Sequence, residues 1–92
     1  LMQFGQETVN GTRAIDLTDE GLSDYPVGEV PTVVITAEYN NDAVTLLQCN
    51  PHTISNVGFS VECVTIADDV TAVVNADATA RTIHFMISGK AP

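Results

Sequence analysis

The sequence predicts an all-β protein, a small antiparallel β-sandwich of about six to seven strands. Three observations predict it. β-Branched residues gather in short runs, clearest in Thr32-Val33-Val34-Ile35-Thr36-Ala37. Gly, Pro and Asn punctuate these runs at regular intervals. No segment shows a convincing helical apolar period with caps at its ends. Short strands at such spacing pack as a sandwich or barrel.

Each element follows from local chemistry. Gln3 to Thr8 and Arg13 to Leu17 are short strand candidates, and Asp19 to Asp24 is a polar loop containing Gly21. Pro31 sits where proline starts a strand, ahead of Thr32 to Ala37. That strand is apolar on both sides, which predicts a central position or cover by a neighbouring subunit. Asn40-Asn41-Asp42 reads as a turn, and Ala43 to Gln48 as the next strand. Asn50-Pro51 is expected to end it, because proline lacks an N–H and restricts the residue before it. Asn56-Val57-Gly58 opens a strand from Phe59 to Ile66, and the last strand runs from Thr82 to Ser88. Between these two lies a loop of Asp, Asn, Thr and Ala, in which Asp69 to Val74 favours strand or loop over helix. Alternation places Val57, Phe59, Val61 and Cys63 on one face, with Ser60 and Glu62 opposite. Ile83, Phe85 and Ile87 likewise share a core face, opposite Thr82, His84, Met86 and Ser88.

Ninety-two residues make one domain, 1–92, which is read as a C-terminal fragment of a longer chain. Leu1-Met2-Gln3-Phe4 has no basic region or long apolar core of a signal peptide. No apolar run approaches the roughly 18 residues that span a bilayer, so no membrane insertion is expected. The net charge is −9, from 12 acidic residues against Arg13, Arg81 and Lys90. Binding nucleic acid takes clustered cations that displace counterions from phosphate, and this chain cannot supply them. Any receptor group should be neutral or basic. Asn10-Gly11-Thr12 matches a glycosylation sequon and is treated as chance.

The candidate ligand-binding residues are Tyr39, Asn41, Asp42, Arg81 and His84. His84 lies on the less apolar face of the last strand, near Arg81 in sequence, and both side chains can donate hydrogen bonds to hydroxyls. His52 reads as an ordinary loop residue. Asp68, Asp69 and Asp77 share a loop with Asn75, but no Asp-x-Asp-x-Asp-Gly pattern appears, so a solvated loop is preferred over a calcium site. No metal and no cofactor is expected. Nor is an enzyme: alternation sends Cys63 into the core and His84 to the outer side of its strand, leaving no nucleophile–base pair.

The order of these elements resembles the H-type lectin domain, a β-sandwich known from snail agglutinins, with similar domains at the C-terminal tips of bacteriophage tail fibres. The resemblance rests on Tyr25-Pro26-Val27 leading into Pro31-Thr32-Val33-Val34, on Gly58-Phe59 opening a strand that reaches Cys63, and on Ile83-His84-Phe85-Met86-Ile87-Ser88-Gly89-Lys90. It runs from Phe4 to Lys90, with Phe85 where that family usually has tryptophan. It implies a homotrimer binding a sugar between protomers. The family's pocket uses an arginine where this chain has Val44 and Thr45. It also uses aromatic and histidine side chains where this chain reads Val64-Thr65-Ile66-Ala67. The implied function is a receptor-binding or adhesion module on a virion tail fibre, engaging a cell-surface glycan or protein receptor by multivalent contacts. The alternatives are a purely structural virion domain, decorating or capping a fibre, and a secreted, extracellular lectin.

Cys49 and Cys63 are expected not to pair. A hairpin centred near Pro51 would set Cys49 opposite residues near Val57, leaving the two cysteines on the order of 20 Å apart along the ladder. A disulfide needs Cα atoms within about 7 Å. The family resemblance adds that the matching cysteine pairs with an N-terminal cysteine, which this chain lacks.

Overall fold

The computed structural model describes residues 1–38, 45–67, 73–76 and 79–92. Among these the chain forms seven strands and no helix. They are β1 (Met2–Asn10), β2 (Thr12–Asp16), β3 (Thr32–Ala37), β4 (Thr45–His52), β5 (Gly58–Ala67), β6 (Val73–Ala76) and β7 (Ala80–Ser88). The first sheet has the order β1-β7-β3, and the second the order β2-β5-β4 with β6 also paired to β5. Every pairing is antiparallel. β2 lies along the first half of β5 (58–62) and β6 along its second half (64–67). The all-β sandwich expected from the strand pattern is therefore present.

The core lies between the sheets. Val9, Ile15, Leu17, Tyr25, Phe59, Val61, Cys63, Ile83, Phe85 and Ile87 form one buried cluster. The alternation read for β5 and β7 holds from Phe59 to Cys63 and from Ile83 to Ile87. Phe59 of one central strand meets Phe85 of the other edge-on, with ring centroids 5.1 Å apart at 76°. Such a pair adds about 0.5–1.5 kcal/mol beyond the area it buries. The ring of Phe85 also covers its cross-strand partner Gly5, where a Cβ would overlap the ring atoms.

Tyr25 closes one end. Its hydroxyl lies 3.0 Å from the carbonyl oxygens of both Leu1 and Ile87 and donates toward them. Its amide donates to the Asn56 carbonyl, and Asn56 Nδ2 donates back to the Tyr25 carbonyl. One buried residue, through its hydroxyl and its backbone, thus ties the β1 and β7 ends of the first sheet to the β4–β5 turn of the second. At the other end Gly11, with φ of 77°, turns the chain from β1 in one sheet to β2 in the other.

Several expectations are corrected. Pro51 does not end its strand: β4 continues to His52, with Pro51 opposite Val61. β4 is an edge strand, where proline is tolerated. The turn lies farther along, at residues 53–57, where Thr53 adopts φ of 52° and the Ser55 amide donates to the Gly58 carbonyl. This shift makes Cys49 and Cys63 direct partners with Cα atoms 4.0 Å apart, and they form a disulfide. The Cys63 amide points the other way, to the Gly11 carbonyl at 2.7 Å. Cys49 and Cys63 are therefore a close, non-hydrogen-bonded pair. Pro51 and Val61, two residues on, are of the same type, so the position of the missing N–H faces the open edge.

β3 is not central but the edge of its sheet. Val33, Ile35 and Ala37 pack inward, while Val34 faces out and remains 49% exposed. Val57 belongs to the turn rather than the core face and is exposed. Part of the stretch read as a loop between the last two major strands is strand β6, paired to β5 from Val64 to Ala67.

Two outcomes test this packing. The disulfide closes a loop of about 15 residues, so a Cys49→Ala/Cys63→Ala variant should lose about 3 kcal/mol of unfolding free energy in urea. A loss well under 1 kcal/mol would mean that packing alone holds the β4–β5 pairing. Gly5→Ala should cost about 1–3 kcal/mol, because the Phe85 ring must leave its place over Gly5. An unchanged urea midpoint would show that the ring has room to move.

Candidate functional site

The two described candidate residues, Arg81 and His84, both stand on β7, and the strand's alternation separates them. Arg81 falls on the core side with Ile83 and is 2% exposed, opposite Val9 of β1. A buried guanidinium is stable only when partnered, and Arg81 is not without a partner. His84 points to the outer face and is exposed. The structure therefore does not bring them together. Tyr39, Asn41 and Asp42 lie outside the described residues, as do Asp68, Asp69 and Asp77.

His84 does have a partner that sequence reasoning missed. Its Nε2 lies 2.8 Å from Glu38 Oε2, with both side chains about half exposed. Glu38 reaches this position because one further bond to β7 follows the end of β3: the Glu38 amide donates to the Thr82 carbonyl at 2.8 Å. An exposed pair of this kind contributes roughly 0–1 kcal/mol to stability, so it adds little to the fold.

Register assembles the rest of this outer face in rows. Gln6, His84 and Thr36 are cross-strand neighbours, and Thr8 stands opposite Thr82. The adjoining row is Phe4, Met86 and Val34, followed by Met2, Ser88 and Thr32. The face thus divides into a half rich in hydroxyl, amide and imidazole groups and an apolar half. Alternation within Gln3 to Thr8 would have put Phe4 and Gln6 on one side. Only the long-range pairing of β1 and β3 to opposite edges of β7 could show that this side adjoins His84.

An open cleft of about 370 Å³ lies on the other sheet, lined in part by Asp16, Asp19, Thr53, Ser55 and Ser60. The Thr18 hydroxyl and amide donate to Asp16 Oδ1 at 2.7 and 3.0 Å, and these bonds hold that carboxyl below its ordinary value. His52 is exposed at the end of β4, with Nδ1 2.9 Å from Thr53 Oγ1. Near the β1–β2 turn Arg13 pairs with Glu7 at 3.0 Å, and Glu20 lies beside them. Burial first, and then the neighbouring Glu7 carboxylate, pushes the Glu20 carboxyl above its ordinary value, and its Oε1 is buried without a donor.

Among the described residues no three His, Cys, Asp or Glu side chains gather to hold a metal ion. None of these residues forms a helix long and apolar enough to cross a membrane. No known protein family, curated protein or solved structure matches the chain.

Glu20 provides a pH test. Its folded value is raised above 4.5, so between 4.5 and that raised value the folded state holds a proton that the unfolded state has released. Stability from this group therefore rises as pH falls through that window, and at neutral pH the ionised carboxylate is a cost. Glu20→Gln should stabilise the protein near pH 7, with the gain shrinking as pH approaches 4.5. Urea midpoints at both pH values check this, and a destabilised variant at pH 7 would contradict it.

Proposed function

We propose that the domain is a receptor-binding or adhesion module with an H-type lectin-like sandwich, serving as the host-recognition tip of a phage tail fibre. One observation carries this reading: the polar half of the outer face of the first sheet. There His84, Glu38, Gln6, Thr36, Thr8 and Thr82 present donors and acceptors from three strands of a rigid sheet. Such groups hydrogen-bond the hydroxyls of a neutral glycan or the backbone of a protein receptor. The charge of −9 favours neutral or basic groups over phosphate. Tyr39, Asn41 and Asp42, which follow Glu38 in sequence, are proposed with them as ligand-binding residues. Arg81, buried on the other side of β7, would serve it by holding the strand rather than by contact.

The ligand would be bound weakly at each site, and a homotrimer would raise avidity through effective concentration. The Cys49–Cys63 disulfide supports display in an oxidising setting, on a virion surface or as a secreted lectin. It differs from the pairing with an N-terminal cysteine that the family resemblance implies. A purely structural virion domain is the second reading, and the apolar half of the same face favours it.

Glycan-array and whole-cell binding of the purified domain separate these readings. Wild type should bind at least one surface, and His84→Ala should weaken that binding by about tenfold, the effect of losing one or two hydrogen bonds. His52→Ala, on the other sheet, should leave it unchanged. A folded wild type that binds nothing would favour the structural reading, and equal binding by His84→Ala would move the site elsewhere.

A further inference from the structure

We infer that the open backbone edge of β1 binds an extended basic peptide segment of another protein as an added strand. The Leu1 nitrogen donates to the Gly89 carbonyl at 2.6 Å, and the Gly89 amide donates back to the Leu1 carbonyl at 3.1 Å. Leu1 and Gly89 are thus a hydrogen-bonded pair, and such pairs alternate along an antiparallel ladder. Gln3, Gly5 and Glu7 therefore bond β7, while the N–H and C=O groups of Met2, Phe4 and Gln6 point away from it. The other side of β7 has the matching parity, since Glu38 bonds Thr82 there. Among the described residues nothing bonds these edge groups. Thr8, next in the same set, is closed: its amide donates to Glu7 Oε1 and its carbonyl accepts from Arg13.

Natural sheets blunt their edges with proline, charge, short strands or bulges. β4 carries Pro51, β2 is five residues long and includes Arg13, and β3 lies against β4. β1 has none of these devices from Met2 to Gln6, and its register with β7 runs unbroken for nine residues. The segment between β2 and β3 meets β1 through a side chain. Gln3 Nε2 donates to the Ser23 carbonyl at 2.9 Å, and the Ser23 amide donates to Gln3 Oε1 at 2.8 Å. That contact leaves the backbone edge open.

Side-chain chemistry selects the occupant. An added strand about 4.8 Å away sets its alternate side chains beside those of β1. One set lies beside Met2 and Phe4, 56% and 66% exposed on the outer face, and is therefore apolar. The other set lies on the side of Gln3 and Glu7. There Glu20 stands beside Glu7 and Asp24 follows Ser23, and Glu20 Oε1 and Asp24 Oδ1 are buried without a donor. Three carboxylates against the guanidinium of Arg13 favour a cationic set, as the net charge of −9 does for the chain as a whole. The same charge disfavours a strand from a second copy.

The inference goes beyond the adhesion reading and does not rest on it, because the added strand lies beside the His84 half of the face rather than over it. The probe is a capped heptapeptide of alternating lysine and valine, titrated into the domain and followed by amide hydrogen exchange. In the free protein the amides of Met2, Phe4 and Gln6 should exchange fast, and those of Gln3, Gly5 and Glu7 slowly. The peptide should slow the first set by about tenfold or more, and a glutamate–valine peptide should not. N-methylating one alternate set of the peptide's amides should weaken binding by about tenfold, and methylating the other set should leave it unchanged. Phe4→Pro removes an edge N–H and no bond to β7, so it should bind about tenfold more weakly than Phe4→Ala. The methylated peptides carry the test if that variant fails to fold. No binding at millimolar peptide, equal binding of the glutamate peptide, or protection confined to residues outside β1 would overturn the inference. So would edge amides that are slow in the free protein, or that slow as protein concentration alone is raised. Those results would give the edge to the chain itself or to a second copy. Peptide binding by a domain that binds no glycan or cell would leave this inference standing and remove the adhesion reading.

Discussion

The contact between Phe59 and Phe85 is the point on which the sandwich depends. β5 is central in one sheet and β7 in the other, and these two rings join them. Each ring is nearly fully buried, so each contributes about 1.5–3 kcal/mol by leaving water. Phe85 then fixes the spacing to β1 by lying over Gly5, and Val61 and Ile83, both fully buried, flank the pair along their strands. Every other strand is paired to β5 or β7. Tyr25 and the disulfide secure the periphery of this arrangement: one joins the sheets at an end, and the other joins β4 to the central strand beside it.

Much of this architecture was legible locally. β3 is bounded at the residues its composition predicts, and the core faces of β5 and β7 follow from period-two alternation. Register was less legible. Pro51 misled because its effect depends on whether a strand is at an edge, and nothing local reveals that. Once the turn centre moved from Pro51 to the neighbourhood of Asn56, the inferred distance between the cysteines collapsed from many residues to a direct pair. A few residues of turn placement reversed a chemical conclusion. β6 was left open between strand and loop for the opposite reason. Its residues, Val73-Val74-Asn75-Ala76, carry too little pattern to distinguish a short strand from a loop.

The site was legible in part. Alternation assigned His84 correctly to the outer side of β7, and the same alternation, extended three residues back, places Arg81 on the core side. Proximity in sequence was a poor guide there, because odd separations along a strand put side chains on opposite faces. Glu38, Gln6 and Phe4 depend on pairings between strands far apart in the chain, and no single-strand periodicity contains that information. The apolar character of Thr32 to Ala37 on both sides, Val34 included, was read as a central position or as cover by a neighbouring subunit. In the fold it marks an edge strand whose outer face is apolar.

The strand that organises the first sheet is also the last of the described strands to be synthesised. β1 and β3 share no pairing with each other, and each depends on β7 for its hydrogen bonds. Met2 must find Ser88 across nearly the whole chain. During synthesis the second sheet can begin to close through its local β4–β5 hairpin. The amino-terminal strand, with Phe4 and Met2, waits unpaired until residues 80–88 emerge. Such non-local pairing is slow and leaves apolar segments open to the wrong neighbours. For these strands, then, maturation waits on β7: half of the sandwich has no partial form to occupy until that strand arrives.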